Sequence, residues 1–85
     1  MSPEQEKQIY LREFGNRVHQ FRMSKGLSLD ELARMCGYTS TNARSSIQKI
    51  EAGKSDLPAS KIRALAAALG VSICELMDFD IPNLN

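Results

Sequence analysis

The stretch that decides the fold is Gly26-Leu27-Ser28-Leu29-Asp30-Glu31-Leu32-Ala33-Arg34-Met35-Cys36-Gly37, then Tyr38-Thr39-Ser40-Thr41-Asn42, then Ala43-Arg44-Ser45-Ser46-Ile47-Gln48-Lys49-Ile50-Glu51-Ala52-Gly53. Ser28 followed three residues later by Glu31 is a capping box. The hydroxyl accepts from one orphan amide of a helix start while the carboxylate accepts from the serine's own amide. Leu29, Leu32, Ala33 and Cys36 fall on one side of the helix so begun, and Gly37 closes it. A polar run follows. A second helix then carries Ile47 and Ile50 on a narrow apolar stripe and stops at Gly53.

The same punctuation continues outward. Ser2-Pro3-Glu4-Gln5 supplies a cap, a proline at the first helical position and a capping-box glutamine. Leu11, Phe14, Val18 and Phe21 then recur at 3-4-3 spacing, the stripe of an amphipathic helix that ends at Gly26. Gly15 interrupts this stripe and marks a possible break, with residues 3–13 as a separate arm. Downstream, Asp56 to Ser60 forms a turn into a helix over about residues 60–69, with Ile62, Leu65, Ala66 and Leu69 inward and Gly70 as stop. Ser72-Ile73-Cys74-Glu75 is a third capping box, opening a short helix through Met77. No strand pattern occurs, so the expected fold is all-α with five helices. The expected organisation is a helical extension over residues 1–13, the folded domain over 14–77 and an irregular tail over 78–85.

Eighty-five residues allow one domain, and 42% apolar with 25% charged side chains is an ordinary globular balance. No apolar run approaches the roughly 20 residues of a membrane span, and no leader pattern opens the chain. Two cysteines without a C-x-x-C motif fit a reduced, cytoplasmic protein. One histidine and two cysteines do not readily build a zinc site or a His-based catalytic unit, so neither metal, cofactor nor catalysis is expected. Charge is unevenly placed. Residues 14–63 carry nine basic side chains against Asp30, Glu31, Glu51 and Asp56, a balance of +5, while residues 1–13 stand at −1 and 64–85 at −3. A basic centre between acidic ends suits a polyanion on one surface.

A capped helix, a glycine turn and a helix with a polar outer face are the order of a helix-turn-helix unit, in which the first helix props the second in the DNA major groove. With Ile47 and Ile50 facing the core, helical geometry turns Arg44, Ser45, Gln48 and Lys49 outward. Arginine can fork onto guanine and glutamine onto adenine, while serine and lysine reach phosphates or bases. Arg44 and Gln48, four apart, are therefore the expected base readers. Lys54, just past the helix, and the helix start at Ser28 are expected at phosphates.

Phe14-Gly15-Asn16-Arg17-Val18, Phe21-Arg22, Lys25 through Ala33, Ile47-Gln48-Lys49-Ile50-Glu51-Ala52-Gly53-Lys54, Ala66 through Ser72 and Glu75-Leu76-Met77 together resemble the phage-repressor (XRE-type) helix-turn-helix family. Arg44 to Ile47 and Leu57 to Ile62 further resemble temperate-phage repressors of Gram-positive bacteria. The resemblance covers residues 14–77. It implies a lambda-repressor-like five-helix domain, sequence-specific operator binding, usually as a homodimer, and transcriptional repression without enzymatic activity. It also implies that Arg22 and Glu51 pair between the first helix and the recognition helix, and that Cys36 fills a core position usually held by leucine. Longer relatives continue into a dimerisation or self-cleavage domain, so this chain is expected to be a short regulator or an excised domain.

The sequence departs from that pattern twice. Leu29 stands where many relatives have a phosphate-contacting glutamine. The stretch around Thr39 to Ala43 is longer by a few residues, and either lengthens the turn or adds a turn to the recognition helix, which would bring Thr41 and Asn42 into reading positions. His19 reads as a solvated helix residue and Cys74 as part-exposed. A homodimer is expected through Ile73, Leu76, Met77, Phe79 and Ile81, with an antirepressor or inducer protein as a further partner. The rival function is a protein-interaction module, such as an antitoxin or antirepressor partner, on the same scaffold.

Overall fold

Each of the three serine boxes starts a helix. The computed structural model describes residues 2–79, and over them the fold is all-α: α1 (Pro3–Ser24), α2 (Leu29–Met35), α3 (Ala43–Glu51), α4 (Ala59–Leu69) and α5 (Ile73–Leu76). Ser2, Ser28 and Ser72 each accept from the amide three residues on, and Gln5, Glu31 and Glu75 each accept back from the serine amide. The tail beyond Phe79, Ile81 included, lies outside the described residues.

The break expected at Gly15 is not there. α1 is one helix of 22 residues through that position, and the glycine serves packing instead. A Cβ on Gly15 would collide with the Ile50 carbonyl oxygen and stand 2.7 Å from that of Glu51. The backbones of α1 and α3 therefore meet with no room for a methyl group. Gly53 repeats the device at the end of α3. Its φ of 75° is left-handed, and a Cβ there would lie 2.9 Å from the Arg12 Cα.

Around this crossing, α3 packs against α1 and α2, with α4 against α2 and the short α5 against α4 and α1. The core is Phe14 and Val18 of α1, Leu32, Ala33 and Cys36 at α2, Ile47 and Ile50 of α3, Leu65, Ala66 and Leu69 of α4 and Leu76 of α5. Burying each large apolar side chain contributes about 1.5–3 kcal/mol. Cys36 is a core residue, and burial pushes its thiol pKa up. Leu76, expected on a dimer surface, is fully buried, and Phe79 lies against Tyr10 with ring centroids 5.9 Å apart. Of the apolar residues expected at that surface, Ile73 is the exposed one among those described, while Met77 and Phe79 are half-buried. No helix among the described residues is long and apolar enough to cross a membrane.

Candidate nucleic-acid interface

The inserted stretch lengthens the turn. Residues 39–42 are not helical, and α3 begins only at Ala43. Ser40 holds the turn: its hydroxyl accepts from the Asn42 amide at 3.3 Å and its carbonyl from the Ala43 amide at 3.2 Å. Asn42 occupies the cap position of α3 without a side-chain cap bond. Thr41 and Asn42 are thus exposed on the turn before α3 rather than on an extra helical turn.

From Ala43 the helix has room for little more than two turns. Ile47 and Ile50 are anchored in the core. The 3.6-residue period then sends Arg44, Gln48 and Lys49 to solvent, with Ser45 half-buried beside them. Gly53 ends the helix, and the Lys54 amide donates to the Lys49 carbonyl at 2.9 Å. The exposed Lys54 side chain therefore springs from a fixed backbone at the end of α3.

The start of α2 adjoins the start of α3. Arg44 Nη1 lies 3.7 Å from Asp30 Oδ2, with both side chains about 60% exposed. Solvent at that exposure keeps such a pair within about 1 kcal/mol. Ser28, two residues before Asp30, has both its amide and its hydroxyl engaged in the box with Glu31. The box also sets the acid: the amide of Ser28 donating to its carboxylate holds the Glu31 carboxyl below its ordinary pKa.

Beneath the outward face, Arg22 fixes α3 to α1. Its Nε donates to Glu51 Oε2 at 2.7 Å, its Nη2 to Glu51 Oε1 at 3.1 Å and its Nη1 to the Leu27 carbonyl at 2.9 Å. The forked guanidinium thus ties together α1, the loop before α2 and the end of α3. Both side chains of the pair are about nine-tenths buried. His19, expected to be merely solvated, joins the same carboxylate with Nδ1 at 2.7 Å from Glu51 Oε1. An ionised carboxylate only accepts, so the hydrogen sits on Nδ1 and His19 donates. The spacing carried a signal for this, since residues 19 and 22 share a helix face and whatever Arg22 grips lies within reach of both. Asp30 left no such signal, because its approach to Arg44 depends on how α2 and α3 cross.

The surface so formed runs from Ser28 and Asp30 at the start of α2, past Arg44, Ser45, Gln48 and Lys49, to Lys54. It presents forked and amide side chains on a rigid helix, with Arg44 beside Asp30 at one end and the cations Lys49 and Lys54 toward the other. Such a surface can enter a groove, donate to base edges and hold phosphates.

Comparison with known proteins agrees with this geometry. The helix-turn-helix family model matches residues 18–76. A hypothetical transcription factor of Neisseria meningitidis serogroup B is 39% identical over 57 residues, which is 67% of this chain and 50% of that protein, so the chain spans about half the length of the curated relative it matches. The crystal structure of the restriction-modification controller protein C.AhdI from Aeromonas hydrophila is similar with a TM-score of 0.70 at 35% identity, over 78% of this chain and 94% of that one.

Proposed function

Since the chain belongs to the helix-turn-helix family, we propose that it is a DNA-binding transcriptional regulator, specifically a repressor that places α3 in the major groove of a double-stranded operator. The observation that carries this reading is the division of α3. Ile47 and Ile50 are locked in the core, while Arg44, Gln48 and Lys49 are exposed on a backbone that Arg22 and Glu51 hold in place. In this reading Arg44 and Gln48 contact base edges and Ser45 and Lys49 reach bases or phosphates. Lys54 and the Ser28 hydroxyl, whose own hydrogen is still free to donate, take phosphates on either side. Thr41 and Asn42 on the lengthened turn lie beside the same stretch of backbone. The relatives, a hypothetical transcription factor and a restriction-modification controller protein, support control of transcription as the output and give no support to catalysis.

Selection of bound duplexes from a random DNA pool tests the function. A defined, enriched motif is expected, and a palindromic one reports two copies per site. Recovery of DNA with no sequence preference would overturn sequence-specific repression.

A further inference from the structure

The recognition surface continues past α3 onto the first half of α1. Lys54 shares an open groove with Glu4, Lys7, Gln8, Arg12 and Gly53. Its floor is rigid, because Gly53 sits directly on the Arg12 backbone. Of the groove's cations, Lys7 is engaged by Asp56 at 3.4 Å. Arg12 and Lys54 have no acidic partner within 4 Å among the described residues. Glu4 is the opposing charge in the lining. It stands eight helical positions from Arg12, about 12 Å along the axis of α1 at 1.5 Å per residue, and no ion pair forms between them. The Arg12 end of the groove is therefore cationic and continuous with Lys54.

We propose that Arg12, across the groove from Lys54, binds a phosphate of the DNA backbone flanking the stretch read by α3. The first half of α1 then belongs to the DNA-contacting surface. The assignment rests on the reading of α3 as the recognition helix, since that is what brings a backbone to Lys54. A duplex carries one negative charge per ~1.7 Å of axis, so a backbone held at Lys54 has further phosphates to offer a neighbouring cation. Leu11 is the one large apolar side chain in the lining, which gives a protein partner little to bury.

Salt titration of binding to random-sequence duplex DNA tests this with the parent, Arg12→Ala and Arg12→Lys. Removing one phosphate contact makes the slope of log K against log salt shallower by about 0.9, and Arg12→Ala is expected to show that loss. Arg12→Lys is expected to keep the parent slope, because a point charge satisfies a phosphate. The Arg12 side chain is exposed, so melting temperatures are expected to stay together. A steep parent slope left unchanged by Arg12→Ala overturns this assignment alone, and so does Arg12→Lys losing as much as Arg12→Ala. A flat parent slope removes the DNA-binding reading along with it.

Discussion

Arg22 meets three demands at once, satisfying a buried carboxylate, capping the Leu27 carbonyl and joining α1 to α3. Removing one partner of so buried a pair strands the other charge, at about 3–5 kcal/mol. His19 is half exposed, so its link to Glu51 is held within about 1 kcal/mol. Urea melts should therefore rank Glu51→Ala and Arg22→Ala together, well below His19→Ala. A His19→Ala variant as damaged as the other two would show that the histidine, not the arginine, secures the carboxylate. The outward residues make a different distinction. A good bidentate base contact is worth about 1–3 kcal/mol at one position, whereas a phosphate contact supports all sequences alike. Arg44→Ala is expected to flatten the preference at a defined base pair, and Lys54→Ala to weaken every site equally with a salt slope shallower by about one. Binding profiles over an operator library separate the two, and matching profiles would remove the assignment. The Arg22–Glu51 pairing could be anticipated from the sequence by resemblance. The grip of His19 on the same carboxylate followed from its place three residues before Arg22 on one face of α1, whereas the approach of Asp30 to Arg44 left no signal, because it depends on how α2 and α3 cross.

The helix boundaries were legible because their causes are local. A serine with an acid or amide three residues on starts α1, α2 and α5, and a glycine closes α1 to α4, all visible in the chain. Gly15 was not legible in the same way. Its helix penalty suggested a break, and only the α1–α3 crossing shows why the helix runs through it. That crossing makes Gly15→Ala informative. Alanine favours the helix by about 1 kcal/mol, but its methyl group would be driven into the Ile50 and Glu51 carbonyls, and overpacking of this kind costs about 1–3 kcal/mol. A net loss of stability is expected in thermal melts, together with weaker DNA binding because α3 is displaced. A variant as stable as the parent would mean that the helices separate freely. The inserted turn was ambiguous for a related reason: residues 39–43 carry no cap or periodicity strong enough to choose between turn and helix. The boxes themselves give a pH dependence. The backbone bonds from Ser28 and Ser72 hold the Glu31 and Glu75 carboxyls below their ordinary 4.5. Folded values below unfolded ones mean that this stabilisation is complete above 4.5 and is lost as the pH falls through the folded values. Glutamine keeps the acceptor without titrating. Melting temperature should therefore fall less steeply between neutral pH and about 3 in the Glu31→Gln, Glu75→Gln double variant than in the parent.

At the scale of the whole molecule the question is how many copies a site needs. α3 has nine residues, and in the proposed reading its outward face contributes Arg44 and Gln48 to base contacts. Two such contacts at about 1–3 kcal/mol each, about 2–6 together, reach only the lower part of the ~4–10 kcal/mol by which specific sites exceed non-specific DNA. Two copies on a two-fold site double the reading without a new fold. Met23, Met35 and Ile73 are the exposed large apolar side chains among the described residues, and Ile73 is the one on the face expected for a second copy. Ile73 at the start of α5 is 42% exposed, and Val71 and Met77 flank it half-buried, at the opposite end of the chain from the α1 extension. A two-fold site asks an isologous contact to hold two α3 helices about one DNA turn apart, some 34–36 Å. Leu76 cannot share in it, since it is committed to the core. Ile73→Asp, on the outside of α5, is therefore expected to prevent dimers without unfolding the domain. Sedimentation with operator DNA should show two parent chains per duplex and a single, weakly held Ile73→Asp chain. The salt slope per bound chain should be unchanged, because no phosphate contact is lost. A parent that stays monomeric on a palindromic site would refute the dimer, and an Ile73→Asp variant that still pairs would place the contact elsewhere on the surface.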